Sequence, residues 1–366
     1  MSIAISVIIP VFNQEKYVGK CIRSVLDQCF GDFEVIIVND GSTDKSLMIC
    51  KRYAKKDARI TIIDKQNEGV AYARRDGILK ARGEFICFLD SDDYLASDAL
   101  QVLYELAKKH HVDSVVGNYD KVWDNWGIVK KKAAPYSKEI TDRLIGSTEL
   151  LPMMLGIGSK EYLFGIAIWR RLYRRECVIK ANEVNPDMLF PKLEFQFEDD
   201  LFNLAITPFL QSVWLTNAIV YHYRFGGITS RDVPAIRYGG FIIDERYAQI
   251  VKLGCCSALP LLFERYVALL CWDVSNQIHF QSHNEKEIRC FLSEELAVRK
   301  IVLWARQQSS ELLNDMRNDS FSLYVLNGDV NAFLSAVYER ERFLKKHHYW
   351  KMRILKNYQR MVDVIR

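Results

Sequence analysis

The chain has no apolar run near the ~20 residues that a membrane-crossing helix needs, so a spanning segment is not part of the expected architecture. It also lacks any CxxC pair and any Cys/His spacing of the metal-ligand kind. Several of its nine cysteines, Cys87, Cys177 and Cys271 among them, sit between apolar neighbours, and a reduced, cytoplasmic setting is expected. Residues 1–10 have neither a basic leader nor a small-residue cleavage site, and are expected to form a first strand rather than a signal peptide. No low-complexity or Gly/Ser/Pro-rich tract interrupts the sequence, and with 49% apolar and 26% charged residues most of it should be folded.

What is present exceeds one ordinary domain. At 366 residues, against the ~100–200 of a typical domain, the chain calls for one large α/β domain with an extension, or for two domains. A net charge of +4 is too small to argue for nucleic acid, but it is unevenly placed. Residues 340–366 hold nine Lys/Arg against Glu341 and Asp363, 9 − 2 = +7, which leaves 4 − 7 = −3 for the remainder.

Residues 3–9, 34–38, 60–63, 84–89 and 113–116 are short β-rich runs, and helix-like segments at 15–28, 44–56 and 69–82 separate the first four. That alternation predicts βαβ units and a mainly parallel sheet flanked by helices, with a ligand site beyond the carboxyl ends of the strands. The polar residues follow the same rule. Strand one runs into Asn13-Gln14-Glu15, strand two into Asn39-Asp40-Gly41-Ser42, strand three into Asn67-Glu68-Gly69 and strand four into Asp90-Ser91-Asp92-Asp93. Any one of these is a common turn; four in succession on one edge predict a site.

Further on, Lys130-Lys131-Lys132 suggests a loop, 150–158 a helix, and 167–173 another strand or a strand-to-helix junction. Phe197-Glu198-Asp199-Asp200 opens an apolar helix, and 220–224 is a last strand. From about Val233 the pattern is helical, at 242–252, 258–279, 285–308 and 329–364, so the expected division is 1–232 and 233–366.

Carboxylates spaced as Asp90-x-Asp92 after a buried strand suit a hard divalent cation, whose charge relieves their repulsion. Mg²⁺ takes only one or two protein carboxylates and fills its other positions with substrate phosphates, which points to a diphosphate-bearing ligand. The plain alternative is a solvated turn with Asp93 or Ser97 capping the next helix. Asp40 is placed to accept the N–H of a pyrimidine, Phe12 to stack on it, Gly69 to admit close backbone approach, and Arg74 to meet phosphate charge. Taken singly, Phe12 and Gly69 would be ordinary core and turn residues, and Arg74 part of a solvated helix face.

Ser6-Val7-Ile8-Ile9-Pro10-Val11-Phe12-Asn13, Val38-Asn39-Asp40-Gly41-Ser42-Thr43-Asp44, Asn67-Glu68-Gly69-Val70-Ala71-Tyr72-Ala73-Arg74 and Gly83-Glu84-Phe85-Ile86-Cys87-Phe88-Leu89-Asp90-Ser91-Asp92-Asp93 resemble, in order and spacing, the motifs of family 2 glycosyltransferases of bacterial surface-glycan type. The likeness weakens but continues to about residue 230, through Trp169-Arg170-Arg171-Leu172-Tyr173-Arg174-Arg175-Glu176 and Phe197-Glu198-Asp199-Asp200. It implies a GT-A fold, and an inverting transfer of a sugar from a UDP-sugar to a hydroxyl of a glycan or lipid-linked glycan acceptor. Pro10, Val11, Phe12, Asn13, Glu15, Asp40, Gly41, Ser42, Asn67, Gly69, Arg74, Asp90, Ser91 and Asp92 would form the donor side. Within that set Asp40 would contact the uracil and Arg74 the diphosphate region. Asp92 would hold Mn²⁺ or Mg²⁺, with Asp90 on ribose or metal. Asp199 would be the general base; the physics of the residues alone does not separate it from Glu198 or exclude Asp200, and all three also suit a helix N-terminus. His222 and Arg224 are candidates for the diphosphate or acceptor side, with a packed strand histidine as the alternative. Arg75 departs from the family, where an asparagine is common.

Beyond 232 no resemblance is seen. There, residues 335–366 interleave aromatic and aliphatic residues with lysine and arginine, compatible either with a helix on an anionic membrane surface, peripheral on its inner face, or with a packed helix bearing a solvated basic face. Two other classes compete. A sugar nucleotidylyltransferase would need a glycine-rich basic loop after strand one, and residues 10–17 contain no glycine. A non-catalytic nucleotide-sugar or glycan-binding protein would tolerate loss of Asp92 and Asp199, and both are present. Nucleic acid is not an expected partner.

Overall fold

The computed structural model describes residues 3–125, 128–133, 142–147, 149–150, 167–184, 186–190, 198–224, 238–252, 254, 256–280, 284–308 and 320–342. The chain divides into two compact units, Met1–Val233 and Pro234–Arg366.

The first unit is built on a ten-stranded sheet whose main path runs β3-β2-β1-β4-β9-β6-β10-β5. The opening strands are β1 (Ile5–Val11), β2 (Phe33–Asp40), β3 (Ile60–Lys65) and β4 (Phe85–Phe88), all parallel. Every residue of β1 and β2 is buried, as continuous apolar runs require when helices cover both faces of a sheet. Side-chain alternation then splits the core. Ile8, Ile36, Val38, Ile86 and Phe88 enter one cluster, while Val7, Ile9, Val35, Ile37 and Cys87 enter the other. The helices α1 (Val18–Leu26), α2 (Ser46–Ala54) and α3 (Val70–Lys80) fall within the stretches the sequence predicts. In α3, a Cβ at Gly77 would collide with the Ile8 side chain. This close approach seats α3 on β1 and turns Arg74, one turn earlier on the same helix face, into the interior.

The second half of the sheet is more mixed than the sequence predicts. β6 (Ser114–Asn125) and β10 (Ser212–Arg224) are parallel to each other, whereas the two-residue β5 (Tyr94–Leu95), β7 (Ile128–Ala133), β8 (Arg143–Gly146) and β9 (Arg171–Arg174) each pair antiparallel. β9 lies between β4 and β6, joining the two parallel sets. Lys130-Lys131-Lys132 belongs to β7, not to a loop. Among the described residues β7 pairs only with β6, and lysine suits such an edge because it disfavours further strand addition. After α4 (Ala99–His110) come α5 (Arg175–Val184), α6 (Pro186–Leu189) and α7 (Glu198–Ile206), the last continued by a 3-10 turn at Thr207–Phe209. The helix expected at 150–158 lies, but for Leu150, outside the described residues.

The second unit is helical, with α8 (Tyr238–Lys252), α9 (Leu259–Phe280), α10 (Glu285–Val298), α11 (Lys300–Arg306), α12 (Ser320–Asn327) and a further helix over 330–342. The single helix expected over 285–308 is broken at Arg299, whose backbone is extended (φ −64°, ψ 122°). Its guanidinium holds Glu295 at 2.6 Å and Asp244 at 2.7 Å, fixing the break by ion pairing between α8 and α10. No described helix is long and apolar enough to cross a membrane. The basic stretch 343–366 lies outside the described residues.

Candidate active site

The register brings the polar strand ends together. Val11 lies opposite Asn39, which lies opposite Asp64, and Ile8 lies opposite Phe88, two residues before Asp90.

The ends of β1 and β2 are laced to each other. Asn13, in the left-handed region at φ 52°, accepts the Thr43 N–H at 2.8 Å and donates its own N–H to the Ser42 hydroxyl at 3.1 Å. Glu15 donates its N–H to Asp44 at 2.9 Å and accepts the Lys45 N–H at 3.1 Å. Asn13, Glu15 and Ser42 therefore hold the rim in shape. Pro10 and Val11 are buried beneath it, while Phe12 is 43% exposed. A bare aromatic ring on a rigid rim is suited to stacking against a flat ligand.

Asp40 is buried, and its two carboxylate oxygens accept the N–H groups of Glu68 and Gly69, each at 2.9 Å, at the start of α3. An ionised carboxylate has about four acceptor positions, so with two bonds made it can still accept from a further donor. Asn67 ties the same place by donating to the Asp40 carbonyl at 3.0 Å. The two glycines here have different reasons. A Cβ at Gly41 (φ 71°) would lie 2.7 Å from the Asn67 nitrogen, a structural restriction, whereas Gly69 (φ 96°) has open space around it. At Gly69 the positive φ alone favours glycine, and the surface beside it stays open.

Across from this rim, Arg74 joins two segments far apart in sequence. It donates to Asp90 at 2.9 Å and to Asp199 at 2.8 Å. The arginine side chain is only 5% exposed, while Asp90 and Asp199 keep 27% and 19%. Asp199 sits in the first turn of α7, and its second oxygen accepts the Ile168 N–H at 3.4 Å. Glu198 and Asp200 share that turn, but their side chains are outside the described set.

The acidic loop itself is divided in function. Asp92 is half-buried, and burial followed by the adjacent Asp90 pushes its carboxyl up to about 6. Asp93 does not cap the next helix: it is 2% exposed, accepting the Tyr221 hydroxyl at 2.8 Å and the Arg224 N–H at 2.6 Å. α4 begins instead after Asp98, whose side chain makes no cap. Ser91 is buried within the turn.

Asp90 and Asp92 thus remain as partly accessible hard oxygen donors. Among the described residues no cluster of three or more His/Cys/Asp/Glu could hold a metal alone. Two carboxylates, one of them resisting ionisation, fit a divalent cation whose other positions come from a phosphate ligand. Arg224 donates Nε–H to the Asp92 carbonyl at 2.7 Å and packs over the rings of Tyr17 and Tyr94. His222 is buried, its ring 4.9 Å from that of Tyr94 and Nδ1 3.8 Å from Asp120. Both residues are built into the wall behind the acidic loop. Tyr221, which touches both Asp90 and Asp93, drew no attention in the sequence because its partners lie some 130 residues upstream.

The fold and site define a protein of the α/β class in which polar strand ends, an acidic loop and Asp199 are brought together around Arg74. Residues 6–171 match the family model described as Glycosyl transferase family 2. The chain is 34% identical over 232 residues to the glycosyltransferase EpsJ of Bacillus subtilis, which is 63% of either chain, so it spans less than two thirds of that relative. It is 24% identical to the cholesterol galactosyltransferase of Borreliella burgdorferi, covering 78% of this chain and 81% of that one. The crystal structure of residues 1–349 of S. aureus TarS in complex with UDP-GlcNAc superposes with a TM-score of 0.67 at 20% identity, over 93% of this chain and 91% of that one. The fold is therefore the GT-A fold.

Proposed function

We propose that the chain is an inverting glycosyltransferase, moving a sugar from a UDP-sugar to a hydroxyl of a glycan or lipid-linked glycan in cell-surface polysaccharide synthesis. The observation that carries this reading is the Arg74 guanidinium, which ties Asp90 of the acidic loop and Asp199 of α7 to one another. Inversion requires the acceptor oxygen to attack opposite the leaving diphosphate, so a carboxylate must face the phosphate-holding loop across the reacting carbon. In this reading Asp199 takes that place and the acceptor proton. Phe12 and Asp40 receive the base, Gly69 leaves space beside it, and Asp92 with Asp90 would hold Mn²⁺ or Mg²⁺. Such a cation supplies Lewis-acid stabilisation of the departing diphosphate. Arg74 adds fixed positive charge on the same side. The relatives, which include glycosyltransferases and a galactosyltransferase, support transfer chemistry without choosing the sugar. The basic stretch 335–366 is proposed to lie on an anionic membrane surface.

The test is a screen of UDP-, GDP- and TDP-sugars for Mn²⁺-dependent hydrolysis or transfer by the full chain. Turnover of a UDP-sugar is expected. Failure to bind or turn over any nucleotide sugar contradicts the proposal.

A further inference from the structure

The third carboxylate of the acidic loop and the end of β10 form a unit that the catalytic scheme above does not use. β4 leaves the core at Phe88, turns tightly with the Asp93 N–H bonded to the Asp90 carbonyl at 3.0 Å, and enters β5 at once. β5 is only two residues long and pairs antiparallel with β10, Leu95 opposite Tyr221 and Tyr94 opposite His222. So short a strand gives little backbone anchoring to a turn that carries three carboxyl groups. The additional ties come from side chains. The Tyr221 hydroxyl donates to Asp93 at 2.8 Å and accepts the Asp90 N–H at 3.3 Å, a single oxygen closing both ends of the turn. The Arg224 N–H reaches the other Asp93 oxygen at 2.6 Å, and its Nε–H reaches the Asp92 carbonyl at 2.7 Å. The Arg224 guanidinium lies 4.5 Å from the ring of Tyr17, at the start of α1, and so also backs the β1 rim.

We propose that Asp93, Tyr221 and Arg224 are positioning residues that lock the acidic loop to the end of β10, so that Asp90 and Asp92, and not Asp93, are presented to a divalent cation and diphosphate. This rests on the glycosyltransferase reading for the identity of the ligand, and on geometry alone for the lock. Asp93 is turned away from the accessible side of the loop: it is 2% exposed and its oxygens face the Tyr221 hydroxyl and the Arg224 N–H, whereas Asp90 keeps 27% exposure and Asp92 is half-buried. Its role is to pull the turn inward. Outer residues that orient metal ligands commonly contribute 10- to 100-fold to metal affinity, and the lock should act on that scale.

The experiment uses the full chain with Tyr221→Phe, which deletes only the bridging oxygen, and Arg224→Lys, which keeps the charge but removes the Nε–H bond. Two quantities are measured: Mn²⁺ affinity in the presence of UDP, by electron paramagnetic resonance, and amide hydrogen exchange of residues 90–95 without ligand. Tyr221→Phe should weaken Mn²⁺ binding with UDP by about 10- to 100-fold and speed exchange in 90–95 while β1 and β2 keep their protection. Arg224→Lys should do the same to a lesser degree, and it stands alone should Tyr221→Phe not fold. A lower melting temperature with unchanged Mn²⁺ affinity overturns the proposal, as does unchanged exchange in 90–95. If the parent protein itself binds no Mn²⁺ with UDP, the functional reading fails, and the exchange data still decide whether the lock exists.

Discussion

Replacing Arg74 by methionine should reduce both stability and transfer, and the structure sets the scale. The side chain is 5% exposed and donates at 2.8 Å and 2.9 Å to two carboxylates that keep 19% and 27% exposure. Breaking a buried ion pair from one side costs about 3–5 kcal/mol, because the partner charge is left behind. Here water can reach both carboxylates, so the lower end, about 3 kcal/mol, applies. In a unit of this size each kcal/mol corresponds to about 2–4 °C, so the melting temperature of the first unit should fall by about 6–12 °C. Arg74→Lys keeps one charge but cannot span both acids, and should lose about half as much. Differential scanning calorimetry of the full chain at neutral pH, alongside donor turnover, measures both effects. Turnover should fall by about 100-fold or more, because fixed charge on the leaving-group side is lost. A methionine variant that melts within 2 °C of its parent would refute the claim that Arg74 joins the acidic loop to Asp199.

Mn²⁺ affinity with UDP should drop as pH falls through about 6, because the Asp92 carboxyl, raised to that value by burial and then by Asp90, binds a proton there and ceases to be a ligand. The same raised value means that the folded chain binds more protons than the unfolded chain between about pH 4 and 6, so ionised Asp92 opposes folding above that range. Asp92→Asn should therefore abolish Mn²⁺ binding yet melt no lower than its parent at pH 8, with a gain of about 1–3 kcal/mol; a large loss of stability contradicts this. Glu34 behaves in the opposite sense. Burial alone would raise its carboxyl, but bonds from Ser6 and Arg82 outweigh that and hold it below its ordinary value. Its contribution is present above about pH 4.5 and lost below, so Glu34→Gln should lower the melting temperature at pH 7 and much less at pH 3, checked by melts across that range. Gly77→Ala should destabilise by about 1–3 kcal/mol, since the added methyl has to displace the Ile8 side chain, and a urea titration showing an unchanged midpoint would contradict it.

The first four strands and their polar ends were legible because local signals agreed: continuous apolar runs, intervening helical periodicity and turn residues at each carboxyl end. Asp90, Asp92, Asp40 and Arg74 follow from that frame. What was not legible depends on partners distant in sequence. Whether Asp93 binds a ligand, caps a helix or anchors a turn is decided by Tyr221 and Arg224, more than 120 residues downstream. The antiparallel insertion of β9 between β4 and β6 is likewise a tertiary choice, since four residues rich in arginine carry no directional signal. The lysines of β7 resembled a loop because an edge strand can be as polar as one. Arg74 was expected at a phosphate; the structure shows it held between Asp90 and Asp199, two partners that no local pattern links to it.

The most direct measurement of the central claim compares the parent and Asp199→Asn for UDP·Mn²⁺ affinity by calorimetry and for sugar transfer from the UDP-sugar that the parent turns over. If Asp199 faces the donor as the base, the variant should bind UDP·Mn²⁺ within about threefold of the parent while transfer falls by at least about 100-fold. Retained transfer, or loss of UDP·Mn²⁺ binding in step with transfer, would contradict that assignment.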